Sequence, residues 1–253
     1  MIKNYQENGY LLKHQFFTDD DLATIEPILR AFHAKWCTEN HDHYQHQAIN
    51  SAYITHPGYV SATNRQALFN FIAQDKLAQI AQSIIPGEPA FMNTQLFFNP
   101  FNQAQQNYWH RDLQYLNVDI PAQQKLLHSS AVLHFRVPLA DEPGIELVPG
   151  THRRWDDAQE FETRMGKNGR VPSNDLPTGR AVALNRGDLL VFSANMIHRG
   201  LYGGDRFAFD IIYSDADPQL LRFVDAKCLP DDVEIAELKN SKVFAATKQA
   251  IQK

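Results

Sequence analysis

The sequence predicts a mainly β protein with flanking helices: a jelly-roll core with helical packing on one side. Three observations support this. Apolar residues recur at helical spacing chiefly before residue 90. From residue 90 onward, short strand-like runs separated by turn residues take over. The chain has 253 residues, 43% hydrophobic and 21% charged, enough for one sizeable core. A single domain over 1–253 is therefore expected, with a mainly helical part at 1–89, a barrel core at 90–215 and a helical tail at 216–253.

Gly9 precedes a short apolar piece, Tyr10-Leu11-Leu12, which reads as a first strand. Thr18, followed three residues later by Asp21, is a near relative of the capping box, and Leu22, Ile25, Leu29, Phe32 and Trp36 follow at helical spacing. A helix from about Thr18 to about Cys37 is expected, with Pro27 as a possible kink point. The run from Asn40 to His46 carries His41, His43 and His46 and reads as a solvated loop, with a substrate-facing loop as the sharper alternative. Leu68, Phe71, Ile72, Leu77, Ile80, Ala81 and Ile84 indicate one or two amphipathic helices that end at Pro86-Gly87. Strands are expected over Ala90–Asn99, Asn107–Gln114, Ser130–Leu139, Ile145–Val148, Arg180–Leu184, Asp188–Phe192 and Arg206–Tyr213. The polar stretch 151–179 has little periodicity and reads as a long functional loop or lid. Val243, Thr247 and Ile251 form a modest docking stripe on a terminal helix.

The formal net charge of −5, with no basic run to track a phosphate backbone, argues against a nucleic-acid partner. Two cysteines, Cys37 and Cys228, are too few for a disulfide framework and fit a reducing compartment. The first residues lack the apolar run of a signal peptide, and no apolar segment approaches the roughly 20 residues of a membrane helix. A cytoplasmic protein acting on a small molecule is the expectation, with its oligomeric state open.

The stretch that organises the chemistry is Asn107-Tyr108-Trp109-His110-Arg111-Asp112. In an extended segment His110 and Asp112 share a face. A late histidine, His198, brought alongside by the barrel, completes two histidines and one carboxylate. That set covers one triangular face of an octahedral metal and leaves the rest open, as non-haem Fe(II) oxygenases require. Asp188-Leu189-Leu190-Val191-Phe192 leads towards His198, and Gly200, Gly203 and Gly204 let the chain turn into Arg206. A hairpin of this kind places His198 and Arg206 at one barrel mouth, where the planar guanidinium matches a carboxylate. His134 and Arg136 share one face of an apolar strand, where they either satisfy each other or nearby carboxylates, or line the substrate pocket. Gln114 and Tyr115, just past the His-x-Asp pair, are further pocket candidates, whereas Trp109 and Tyr108 read as barrel-wall aromatics and His152 as structural.

The order Trp109 to Asp112, then Gly144-Ile145-Glu146-Leu147-Val148-Pro149-Gly150-Thr151-His152, then Gly187 to Phe192, His198 and Arg206 resembles the phytanoyl-CoA dioxygenase family. The similarity runs from about residue 5 to about residue 215. It implies a double-stranded β-helix (jelly-roll, cupin-like) enzyme using Fe(II), 2-oxoglutarate and O2. Carried over, His110, Asp112 and His198 are the iron ligands and Arg206 the partner of the distal 2-oxoglutarate carboxylate. Asn93 or Gln95 supplies the family's polar contact to 2-oxoglutarate from the preceding strand; both share a face. Asn99-Pro100 stands where the family has lysine-proline, and the interval from His198 to Arg206 is shorter than usual. The carboxylate of Asp112, which related halogenating enzymes lack, favours hydroxylation with succinate and CO2 as co-products. Two alternatives stay open: a cupin-like metal enzyme that does not use 2-oxoglutarate, and a non-catalytic metabolite-binding barrel.

Overall fold

The computed structural model describes residues 2–252. After a short helix α1 (Ile2–Asn8), strand β1 (Tyr10–Lys13) leads into the helical part. Thr18 forms a complete capping box, its hydroxyl accepting from the Asp21 amide at 3.1 Å while the Asp21 carboxylate accepts from the Thr18 amide at 3.1 Å. The single helix expected over 18–37 is instead two, α2 (Asp19–Ala23) and α3 (Glu26–Glu39). Pro27 does not kink a helix. It sits in the first turn of α3, where its missing N–H leaves no intrahelical bond unmade. The expected histidine loop is a short helix too, α4 (His41–His46), with no buried residue. A solvated one-and-a-half-turn helix carries no apolar periodicity to betray it.

Strand β2 (Asn50–Ala52) was not foreseen; α5 (Ala62–Ile72) and α6 (Asp75–Ile84) match the expected pair. The barrel then unfolds as β3 (Pro89–Phe98), a 3-10 turn (Asp112–Leu116), α7 (Ile120–Ser129), β4 (Val132–Pro138), β5 (Glu142–Leu147), α8 (Ala158–Arg164), β6 (Arg180–Leu184), β7 (Leu189–Ser193), β8 (His198–Gly200) and β9 (Phe207–Asp215). Helix α7 was not foreseen; Asp119 caps it, accepting from the Ala122 amide at 2.9 Å, and Pro121 lies in its first turn. The expected strand Asn107–Gln114 is absent. Only His110 pairs, in an isolated antiparallel bridge with His198, before the chain coils into the 3-10 turn.

The strands form two facing antiparallel sheets, six-stranded in the order β1-β7-β4-β9-β3-β2 and three-stranded in the order β6-β5-β8. Alternation decides what each face meets. In β4, Leu133, Phe135 and Val137 join the main core, as do Phe207, Phe209 and Ile211 of β9. The helical residues Leu22, Leu29, Phe32, Leu68, Phe71 and Leu77 belong to the same core, so one face of the large sheet is sealed by helices. His134, Arg136, Asp210 and Ile212 consequently point into the space between the sheets.

The tail continues as α9 (Pro218–Leu221), α10 (Asp232–Ala236) and α11 (Lys242–Ile251). Val243 and Thr247 dock as expected, but Ile251 is 39% exposed; Phe244 and Ala250 are buried instead. Arg65 fixes the tail through a buried ion pair with Glu234 at 2.8 Å. Among the described residues no helix is long and apolar enough to cross a membrane.

Candidate active site

Between the sheets lies a cavity of about 400 Å³. Its floor comes from the large sheet, and a β-bulge in β3 between Phe91 and Asn93 sets which residues reach it. The extra residue shifts the alternation, so that Asn93, Gln95 and Phe97 face inward while Leu96 and Phe98 stay in the helix-covered core.

The main chains of His110 and His198 exchange hydrogen bonds at 3.0 and 2.9 Å, which brings the two rings to a centroid separation of 4.2 Å. Each Nδ1 lies beside the carbonyl two residues earlier, Tyr108 at 3.1 Å and Met196 at 3.0 Å. Those carbonyls accept, so each Nδ1 holds the proton and each Nε2 keeps a lone pair. Both Nε2 atoms are 3.6 Å from the same oxygen, Oδ1 of Asp112. Asp112 arrives not along a strand but on the first residue of the 3-10 turn, its amide donating to the Ala194 carbonyl at 3.1 Å. Three donor atoms within 4.8 Å of one another, two imidazole and one carboxylate, suit a divalent transition metal. Burial pushes the His198 imidazole down to about 3, helped by His110, and burial likewise lowers His110. Both rings are therefore neutral at neutral pH, the form a metal needs.

The second oxygen of Asp112 is occupied by His134, whose Nε2 lies 2.9 Å from Oδ2. The Nδ1 of His134 meets Asp210 at 3.2 Å, and its ring stacks on Phe192 at 4.8 Å. Burial works against a charge on His134, but hydrogen bonds to both carboxylates outweigh it and raise the imidazole to about 9. Burial likewise works against the Asp112 carboxylate, yet the His134 bond and the surrounding imidazoles hold it well below the usual carboxylate range. Partners one shell out from a metal typically contribute about 10- to 100-fold in affinity. His134→Phe, which keeps the stacking on Phe192, should therefore lower Co(II) affinity by roughly that factor in an equilibrium titration.

Beyond His134 the ion pairs continue. Arg136 bonds Asp210 at 3.2 Å and Glu142 at 2.8 Å, all three buried. Arg206 stands at the far end, 3% exposed, its Nη1 donating to the Phe98 carbonyl at 3.0 Å. Its nearest carboxylate, Glu142, is 3.9 Å from Nε and already committed to Arg136, and that Nε has no hydrogen bond among the described residues. Burial and the neighbouring Arg136 lower the Arg206 guanidinium to about 10, which leaves it charged at neutral pH. Gly200 makes room for it: a Cβ there would lie 2.5 Å from Arg206 Nη2. The chain crosses between sheets here, from β8 in the small sheet to β9 in the large one, so the expected hairpin is a sheet-to-sheet connection. Asn99 braces this short crossing, its amide donating to the Gly204 carbonyl at 2.8 Å and its oxygen accepting from the Gly203 amide at 2.9 Å.

The sequence profile described as phytanoyl-CoA dioxygenase (PhyH) matches residues 5–201. The chain belongs to this family. It is a member of the Fe(II)/2-oxoglutarate-dependent oxygenase superfamily. Among curated proteins, none matches the sequence. Solved structures share the fold at low identity. EctD from S. alaskensis with bound Fe is 16% identical, with a TM-score of 0.59, covering 85% of this chain and 75% of that one. HygX from Streptomyces hygroscopicus, with nickel and 2-oxoglutarate bound, is 15% identical, with a TM-score of 0.58 and coverages of 84% and 85%. SnoN from nogalamycin biosynthesis, a non-heme alpha ketoglutarate dependent epimerase, is 14% identical, with a TM-score of 0.56 and coverages of 85% and 79%.

In this phytanoyl-CoA dioxygenase family member, His110, Asp112, His198, Arg206, Asn93, Gln95, Tyr115, His134 and Arg136 all line one cavity. Gln114 does not line it; its side-chain oxygen accepts from Arg164 at 3.3 Å. The 3-10 turn rotates neighbouring side chains apart, which a strand reading of that segment could not foresee. His134 and Arg136 do both things the sequence allowed, lining the cavity while being neutralised by carboxylates. Segment 151–179 contributes no lining residue among those described. It is bolted behind His110. Arg111 bonds Asp156 at 2.7 Å and the Thr151 carbonyl at 2.6 Å, and the Trp109 indole donates to the Asn174 carbonyl at 2.9 Å. Sequence reading missed Glu142 and Asp210, although an acid at an inward position of the apolar strand Phe207–Tyr213 was a usable signal. It also missed Leu220 and Phe223, which the tail delivers to the cavity without any local pattern.

Proposed function

We propose that this chain hydroxylates a small organic molecule using Fe(II), 2-oxoglutarate and O2, releasing succinate and CO2. The observation that carries the reading is the convergence of two Nε2 atoms on Asp112 Oδ1, in the same cavity as a buried guanidinium with an unused donor. Iron bound there, with 2-oxoglutarate and O2, supplies oxidative decarboxylation coupled to attack on a C–H bond. His110, Asp112 and His198 would hold the ion, and Arg206 would take the distal carboxylate of the keto acid.

Gln95, rather than Asn93, is the better partner for 2-oxoglutarate. Asn93 Oδ1 already accepts from the Thr94 amide at 2.8 Å. Gln95 pairs in register with Asp210, two residues nearer the Arg206 end than Asn93, which pairs with Ile212. A hydrogen bond to a charged group contributes about 1.5–3 kcal/mol, so Gln95→Ala should raise the KM for 2-oxoglutarate at least about tenfold. Asn93→Ala should change it by less, and steady-state kinetics with varied keto acid separates the two.

The test of the whole reading is an anaerobic titration with Fe(II) and 2-oxoglutarate, then a succinate-release screen over candidate small molecules. Failure of 2-oxoglutarate to bind the metal-loaded protein sinks it. Product mass then fixes the outcome: hydroxylation adds one oxygen atom, whereas epimerisation leaves the mass unchanged and oxidative ring closure removes two hydrogens.

A further inference from the structure

Strand register orders the cavity from one end to the other. At the first end Phe98 pairs with Phe207, beside Arg206; next come Gln95 and Arg136, both paired with Asp210; then Asn93 and His134, both paired with Ile212; last Val132, paired with Ser214. Asp112 hangs on His134, so the metal ligands sit at the third level, with the arginine end on one side and the Val132 end on the other. Past that second end β9 finishes at Asp215 and the chain turns into α9, whose Leu220, with Phe223 just beyond, closes the cavity. Two bonds hold this wall in place: the Tyr53 hydroxyl donates to the Phe223 carbonyl at 3.1 Å, and Arg222 donates to the Leu116 carbonyl at 3.0 Å. The lining at this end includes Met92, Leu116, Val132, Ile212, Leu220 and Phe223, with the Asn195 amide already donating to the Ser130 carbonyl at 3.0 Å. Phe223 is 40% and Tyr115 54% exposed, large apolar surfaces left open at the mouth.

Apart from Arg206, the charges of the cavity are committed among themselves. Asp112 and the two histidines form the metal face, and His134 and Arg136 are paired with Asp112, Asp210 and Glu142. Arg206 lies at the opposite end, where the keto acid takes it. Inside the lining at the tail end a carboxylate, phosphate or ammonium meets no counter-charge, a desolvation cost that apolar contacts do not repay; Arg222 lies outside that lining, with its guanidinium over the Phe223 ring at 4.7 Å.

We propose that the substrate is an uncharged, largely apolar molecule seated between the metal face and the wall formed by Leu220 and Phe223. The proposal rests on the oxygenase reading above. It also assigns substrate selection to the tail, beyond the residues the family profile matches.

The test uses the full chain loaded anaerobically with Fe(II) and 2-oxoglutarate. The probes are matched sets on one skeleton: citronellol, citronellate and citronellylamine; decanol, decanoate, decylamine and decanoyl-CoA. Dissociation constants are measured by calorimetry for wild type and for Phe223→Arg. In each set the neutral member binds wild type at least about tenfold more tightly than its charged relatives, and Phe223→Arg shifts the preference towards the anion. Equal or tighter binding of any charged member by wild type overturns the proposal. So does an intact Fe(II)–2-oxoglutarate complex that takes up neither alcohol. Absence of that complex in wild type sinks the oxygenase reading itself, which keeps the two failures distinct.

Discussion

Asp112→Ala and His198→Ala should each abolish iron-dependent succinate formation. Both side chains supply donor atoms to one point, Asp112 Oδ1 lying 3.6 Å from each of the two Nε2 atoms. Losing a partner one shell out from a metal already costs about 10- to 100-fold, so losing a ligand itself exceeds that. Asp112→Ala also leaves His134 with Asp210 as its remaining carboxylate. Succinate assay and Co(II) titration are the measurements, with thermal melting as the control for folding. Full turnover in either variant would contradict the assignment of these residues to the metal.

Arg206→Ala should raise the Kd for 2-oxoglutarate while leaving metal affinity in its absence near wild type. Truncating one member of a buried charge pair costs about 2–5 kcal/mol, which is roughly 30-fold to several thousandfold in affinity. Glu142 cannot substitute for the missing guanidinium, since it is itself an anion held by Arg136. Arg206→Lys should recover only part of the loss, because an ammonium lacks the planar fork and does not fill the space between Phe97 and Tyr202, whose rings lie 5.5 and 5.4 Å from the guanidinium carbon. Titration of 2-oxoglutarate into the Zn(II)-loaded variants reads this directly. Indifference to Arg206→Ala would favour a barrel that works without the keto acid.

The helical part was readable because its helices bury one face against a sheet, so Leu68, Phe71, Ile72 and Leu77 had to recur at that period. Helix α4 and helix α8 escaped notice because they bury little or sit within a polar stretch, and period is invisible where burial is weak. The His-x-Asp segment misled for a different reason. Its side chains were expected to share a strand face, whereas one lies in a bridge and the other on a turn. Residue types sufficed to flag the pair; the backbone route by which Asp112 reaches the histidines depends on Ala194 and His198, more than 80 residues on.

From its own letters the chain determined the order of a helical part followed by a strand-rich part, the start of α2, the pair α5–α6, and the donor types of the metal face. Those follow from local forces: burial period, capping hydroxyls and the lone pairs of imidazole and carboxylate. Tertiary structure alone decided which oxygen of Asp112 is free, that His134, Asp210, Arg136 and Glu142 neutralise one another, and that Leu220 and Phe223 close the cavity. Each of these depends on side chains from separate strands or the tail meeting in a desolvated space, where the balance of burial and pairing is set by neighbours the local sequence does not contain.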